Sequence, residues 1–234
     1  MLNCLQSYIL YPLLLLCTVL PLSLMSHPSE KTHSADKWSH IDRHALAAPK
    51  SIQQNLHQLH DYLVIPCKTP TEKLRSFYIW IIHNISYDKR ALDLKTARIN
   101  RNLGAILQRR KAICMGYSQL LEAFCNKAGI PNEIISGYVR IEDTPLQLER
   151  PDHTWNAVLL GGQWRLVEPT WAANYAQHAQ KKVRAEHEQF FLSAPDDFLV
   201  NHLPQFPIWQ LSDCPIGIED FRQMKKGFGA IVPK

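Results

Sequence analysis

Apolar positions follow a helical period through the first half of the chain and shift toward a period of two in the second. Ser51 is placed to cap a helix with Ile52, Leu56, Leu59 and Leu63 on one face. Thr69-Pro-Thr-Glu72 supplies a hydroxyl cap, a proline at the first helical position and an acid at the third, all helix-start signals. Leu74, Phe77, Tyr78, Ile81, Ile82 and Ile85 then recur at i, i+3, i+4 spacing, the clearest helical stripe in the chain. Trp80 lies off that stripe's centre and reads as packing, and His83 as a structural partner. Residues 102–109 predict a short helix and 112–128 a longer one. In the longer one Tyr117, Leu120, Leu121, Phe124, Cys125 and Ala128 share a face, and Gly129 with Pro131 ends it. Residues 132–141 alternate weakly as a strand, and 142–152 read as a polar loop. His153–Leu160, a Gly161-Gly162 turn and Gln163–Glu168 then read as a β-hairpin. Glu186–Leu192 is expected to be helical, with Pro-interrupted coil beyond it. The order, helices first and an antiparallel sheet after, predicts one α+β domain.

Three residues in this pattern can act on one another. Cys114 falls in the first turn of the 112–128 helix, where unpaired N–H groups and the helix dipole favour thiolate over thiol. With Gly161-Gly162 as the turn, Leu160 faces Gln163, Trp155 faces Glu168 and His153 faces Thr170. Period two then puts His153, Trp155, Leu166 and Glu168 on one face, with Cys114 approaching that side. Diagonal neighbours of this kind are about 7–8 Å apart between backbones, within reach of a long side chain. A carboxylate there holds the imidazole in the tautomer that accepts a thiol proton. A turn one residue longer would put the two groups on opposite faces. Taken singly, the three residues have ordinary structural roles. Together they form a nucleophile, base and acid.

The same residues carry a resemblance. Cys-Met-Gly-Tyr-Ser at 114–118, His-Thr-Trp-Asn-Ala-Val at 153–158 and Trp164-Arg-Leu-Val-Glu-Pro-Thr-Trp171 resemble the three motifs of the transglutaminase-like superfamily. Upstream, Trp80-Ile-Ile-His-Asn-Ile-Ser-Tyr-Asp88 is similar to the helix end that precedes the family's catalytic segment. Downstream, Phe190–Phe198, His202-Leu-Pro204 and Trp209-Gln-Leu211 resemble the tail of one branch, that of secreted bacterial members, cytokinesis-associated members and relatives of kyphoscoliosis peptidase. The resemblance implies a papain-like α+β core with Cys114 as nucleophile, His153 as base and Glu168 as the acid, where the family usually has Asp. Ala112 stands where Gly often precedes the nucleophile segment. The implied chemistry is thiol attack on an amide to give a thioester acyl-enzyme, completed by water in a peptidase or amidase. Transfer to a lysine amine, as in a crosslinking transglutaminase, is the alternative. A catalytically silent binding module is a third, favoured by the Glu-for-Asp exchange. Tyr117, Trp155 and Trp171 are expected to wall a cleft for a protein or peptide substrate, with core packing as their ordinary alternative. No metal or cofactor is expected.

Composition changes this picture in one respect only. The 234 residues, 46% of them apolar, suit a single domain. The net charge of +5 is spread without a basic stripe, which argues against nucleic acid. Arg98, Arg101, Arg109, Arg110 and Lys111 gather before Cys114, either as a solvated face or as a bias on the thiol. Residues 1–30 hold no Lys or Arg, and Tyr8–Met25 is almost wholly apolar, interrupted by Pro12 and Pro21. This reads as a signal peptide or N-terminal anchor over 1–26, then a polar His-rich arm over 27–50 and the domain over 51–234. The protein is accordingly expected to be exported, periplasmic or secreted, touching a membrane only through an uncleaved leader. The histidines His27, His33, His40, His44, His57 and His60 share no regular spacing and are not read as a metal site. Cys125 reads as core, and pairing of Cys67 with Cys214 is left open.

Overall fold

The structure, a computed structural model, describes residues 37–93, 102–141, 144–178 and 185–224. The apolar segment 1–26, the first part of the arm, and Arg98 and Arg101 lie outside the described residues. In chain order the elements are α1 (Ser39–Leu46), α2 (Leu56–Leu63), α3 (Pro70–Asn84), β1 (Ser86–Tyr87), α4 (Lys89–Asp93), α5 (Leu103–Arg109), β2 (Lys111–Ala112) and α6 (Cys114–Lys127). Then come β3 (Asn132–Val139), β4 (His153–Leu160), β5 (Gln163–Val167), α7 (Pro169–Ala176), a 3-10 turn at Glu186–Phe190, β6 (Phe191–Ser193), α8 (Pro195–Leu199), β7 (His202–Pro204), a second 3-10 turn at Pro207–Gln210 and α9 (Ile218–Gln223). The expected α+β class holds.

Helix α3 is the axis of the core. The Thr69 hydroxyl accepts the Glu72 N–H, and the Glu72 carboxylate accepts the Thr69 N–H in return. All six stripe residues are buried, and so are Ile79 and Trp80 on the other side. A helix buried all round must be wrapped by others, and α1, α6 and α7 pack against it. Arg75 sits inside this packing at 1% exposure. Its guanidinium donates to Asp42 of α1 at 2.8 and 2.7 Å and to Glu188 of the first 3-10 turn at 2.7 and 2.5 Å. Helix α1 falls in the stretch expected to be a polar arm, yet its Ile41 and Ala45 are fully buried, so the domain reaches further upstream than residue 51. The next boundary also moves. Ser51 lies among turns, and α2 is capped instead by Asn55, whose side chain accepts the His57 and Gln58 N–H groups.

The sheet runs β6-β5-β4-β3-β7, every pair antiparallel. Gly161 and Gly162 have φ of 57° and 79°, the left-handed conformations that a two-residue hairpin turn demands and that glycine supplies without strain. The ladder runs from Leu160 opposite Gln163 to Asn156 opposite Val167, the expected register. It stops there. Glu168 caps α7 through Oε1, which accepts from Thr170 N at 2.5 Å and Trp171 N at 3.2 Å, and Pro169 takes the first helical position. The expected pairs of Trp155 with Glu168 and His153 with Thr170 are therefore absent from the ladder: a carboxylate cap followed by proline turns the chain out of the sheet.

Downstream, Glu186–Phe190 is a 3-10 turn that yields to strand β6, and the expected coil holds α8, β7 and α9. Strand β7 lies on the sheet edge with Gly137 opposite Pro204 and Val139 opposite His202. A Cβ at Gly137 would run into the Leu203 carbonyl and the Trp155 ring. Gly137→Ala should thus cost about 1–3 kcal/mol of stability, the usual range for overpacking, as read by denaturant unfolding. A stability equal to the parent's would show that β7 is not held this closely.

Candidate active site

Cys114 is the first residue of α6, and its N-cap, Ile113, offers no side-chain acceptor to the first-turn N–H groups. His153 is the first residue of β4. Its imidazole hydrogen-bonds the Cys114 thiol on one side, and its Nε2 hydrogen-bonds Glu168 Oε2 on the other. With Nε2 committed to the carboxylate, Nδ1 is the ring nitrogen left for the thiol. Helix α6 packs on the opposite face of β4 from the one expected: Ser118 Oγ donates to Thr154 Oγ1 at 3.3 Å, and Asn156 Nδ2 donates to the Ser118 carbonyl at 3.1 Å. Cys114 meets His153 around the end of the strand, an approach open only because His153 is its first residue.

Each of the three groups is shifted toward its charged form. Burial alone would push the Cys114 thiol up, but the bond to His153, that residue's charge and a bond to Thr154 hold it below its ordinary value. Burial alone would pull His153 down, but the Glu168 charge and the thiol bond hold it well above the usual imidazole range. Glu168 is fully buried, which opposes its charge, yet His153 and then His202 keep it well below the usual carboxylate range. All three shifts favour a set of thiolate, imidazolium and carboxylate. The other free thiols among the described residues go the other way, Cys67 pushed up by burial to about 11 and Cys125 to about 12. Cys67 is a free thiol bonded to the Leu63 carbonyl, so it does not pair with Cys214.

The neighbours differ from expectation. Tyr117 is fully buried, its hydroxyl donating to the Ile85 carbonyl at 2.5 Å, and Trp155 is fully buried against Phe198 and His202. Trp171 is 5% exposed, 5.9 Å from the His153 ring. Trp155 and Trp171 pack beside the imidazole, and Tyr117 packs in the core beneath the helix start. Arg109 pairs with Asp88, and Arg110 lies over the Trp80 ring and donates to Gln53, so both serve the fold. Thr154 and His202 enter the site without having been singled out as site residues. Thr154 sits between two motif residues, and His202 opens the His202-Leu-Pro204 segment that only the resemblance marked. The ligand atoms of His153, Glu168 and His202 lie within 4.8 Å of one another, the one such group among the described residues. His153 Nε2 is already bonded to Glu168, whose other oxygen is taken by two backbone N–H groups, so these donors are committed to one another.

Residues 57–169, which hold Cys114, His153 and Glu168, match the family described as the transglutaminase-like superfamily. The chain is 30% identical to the Mus musculus protein named kyphoscoliosis peptidase over 181 residues, 76% of this chain and 27% of that one. It is 28% identical to hillarin of Drosophila melanogaster over 200 residues, 79% of this chain and 24% of that one. Cytokinesis protein 3 of Schizosaccharomyces pombe is 20% identical over 149 residues, 63% of this chain and 16% of that protein. The chain thus spans about a quarter of the length of the first two. These relatives overturn the expectation of a periplasmic or secreted protein: they are animal and yeast proteins, and one is named for cytokinesis. The apolar run behind that expectation lacks the basic residues that precede a secretory core, and no helix among the described residues is long and apolar enough to cross a membrane. With its motifs carried on the elements that bring them together, the chain holds a transglutaminase-like domain, and kyphoscoliosis peptidase, hillarin and cytokinesis protein 3 fit the branch that its motifs resemble.

Proposed function

We propose that the domain is a thiol-dependent amide-bond hydrolase, a peptidase or amidase acting through Cys114, His153 and Glu168. The observation that carries this reading is the single imidazole hydrogen-bonded to a thiol on one side and a buried carboxylate on the other. In the resting ion pair the proton already sits on His153. The thiolate attacks the amide carbonyl carbon, and the oxyanion forms near the backbone N–H of Cys114, a contact worth about 3 kcal/mol when well aimed. His153 then gives its proton to the departing amine, leaving a thioester. Water, deprotonated by His153, opens the thioester and returns the thiol. Glu168 keeps its charge throughout and stabilises the imidazolium. The likeness to a relative named a peptidase supports hydrolysis over amine transfer.

The test is a peptide library incubated with the purified chain and a labelled amine, scored for cleaved and for amine-modified products. Cleavage lost in Cys114→Ala supports the proposal. Amine incorporation without cleavage replaces it with acyl transfer, and neither product from the parent chain removes it.

Cys114 should react with iodoacetamide at mildly acidic pH ahead of Cys67 and Cys125, because a thiol held below its free value of about 8.5 carries a larger thiolate fraction than thiols that burial pushes up. The sign follows from the two shifts. Reactivity rises as pH climbs through the lowered thiol value, and the ion pair is lost only when pH passes the raised value of His153. Thr154→Val, which deletes a bond to the thiol, should move the acid limb to higher pH. Equal labelling of the three thiols in the native protein would count against an activated nucleophile.

Glu168→Gln should keep the fold, because the amide oxygen can still accept the Thr170 and Trp171 N–H groups that start α7. Turnover should nevertheless fall by about 10⁴, the loss seen when the carboxylate of a serine triad becomes an amide and the wrong tautomer is favoured. Turnover equal to the parent's on any cleaved peptide would reduce the site to a Cys-His dyad.

A further inference from the structure

We propose that His202 is a positioning residue that holds the Glu168 carboxylate against His153, a fourth member standing behind the other three. The inference rests on the reading of Cys114, His153 and Glu168 as a working site, and it adds a residue outside the matched span 57–169. His202 is 1% exposed, and its Nε2 is buried with no hydrogen-bond partner among the described residues, facing Glu168 Oε2 at 3.6 Å, just beyond hydrogen-bond distance. The ring cannot swing elsewhere. It stacks on Phe198 at 4.2 Å, lies 4.4 Å from Trp171 and meets Trp155 edge-on at 5.3 Å. Inside that aromatic cage the polar groups facing it are the Glu168 carboxylate, the His153 imidazole and the Phe198 carbonyl.

The carboxylate has a use for the donor. Oε1 is taken by two backbone N–H groups, whereas Oε2 has His153 alone and room for a second hydrogen bond. A buried carboxylate with a lone pair turned to aromatic carbon loses part of what keeps it ionised. Burial first, and the neighbouring His153 charge after it, hold His202 below its ordinary value and therefore neutral. A neutral imidazole has one N–H, and in the tautomer that carries it on Nε2 the ring can donate to Oε2 without bringing a second positive charge to compete with His153, leaving a lone pair at Nδ1 on the Phe198 side. Lysine or arginine in that place would compete. The strand that delivers His202 is fixed by the close approach of Leu203 to Gly137, so the ring's position is set by the sheet.

The experiment compares the full chain with His202→Phe, His202→Gln and His202→Asn, following the rate of Cys114 alkylation by iodoacetamide against pH. His202→Phe keeps an aromatic filler and removes the donor, so Glu168, His153 and in turn the thiolate lose stabilisation. The acid limb should move up by about one pH unit, seen as an alkylation rate about tenfold lower at mildly acidic pH. His202→Gln places an amide N–H where Nε2 was and should restore most of the rate. His202→Asn reaches only the place of Nδ1, on the Phe198 side, and should behave like the Phe variant. If the Phe variant does not fold, the two amides decide the matter by themselves. An unmoved limb in Phe or Asn, or a Gln variant no better than Asn, overturns the role of His202. A parent chain without any acid limb instead removes the functional reading on which the role rests.

Discussion

One fully buried carboxylate ties this fold to its site. Glu168 carries a charge where water cannot reach it, a state that costs several kcal/mol unless every oxygen finds a donor. One oxygen is satisfied by the first N–H groups of α7 and the other by the imidazole of His153. The positive end of α7 adds to the same effect. Starting that helix and aiming that imidazole are therefore a single event. A chain that fails to turn out of the sheet at Glu168 has neither a capped α7 nor a base held for Cys114. Preorganisation here is a consequence of folding stability, since removing one partner from a buried charge commonly costs about 3–5 kcal/mol.

The hairpin shows how much of this was written locally. Two glycines force the turn, the turn sets the register, and the register puts His153 and Glu168 within one side chain's reach. Cys114 was legible for a similar reason, because a helix start is marked by a change of pattern over a few residues. The exit of the chain at Glu168 was signalled too, in an acid followed by proline, but the alternation through Val167 masked it. Two rules competed at Glu168, and the cap overrode the strand.

What lay beyond local pattern was decided by distant partners. Strand β7 has three residues, too few for any period to show, and it forms because Gly137 lets another backbone come close. A lone glycine inside a strand is the one sequence signal for such an approach, and it names no partner. Helix α1 was hidden by its charges, yet Asp42 points inward to a buried arginine and Ile41 fills the core beside it. Tyr117 and Trp155 misled in the opposite direction. Their place beside reactive residues suggested a cleft, and both side chains are fully buried.

The glutamate itself is the last step. The family usually places the shorter aspartate here. The ladder ends at Asn156 opposite Val167, so the Glu168 backbone has already begun to turn toward α7. An additional methylene spans the gap this opens, and the carboxylate does bond His153. Length brings freedom, however, since each further rotatable bond must be frozen at an entropic cost. The structure meets that cost with fixed donors, two backbone N–H groups on one oxygen and His153 on the other, with the His202 ring 3.6 Å away in a cage of aromatic rings. A longer acid working through a more crowded set of partners is one consistent device, so changes at Glu168 and at the residues around it should not be independent of one another.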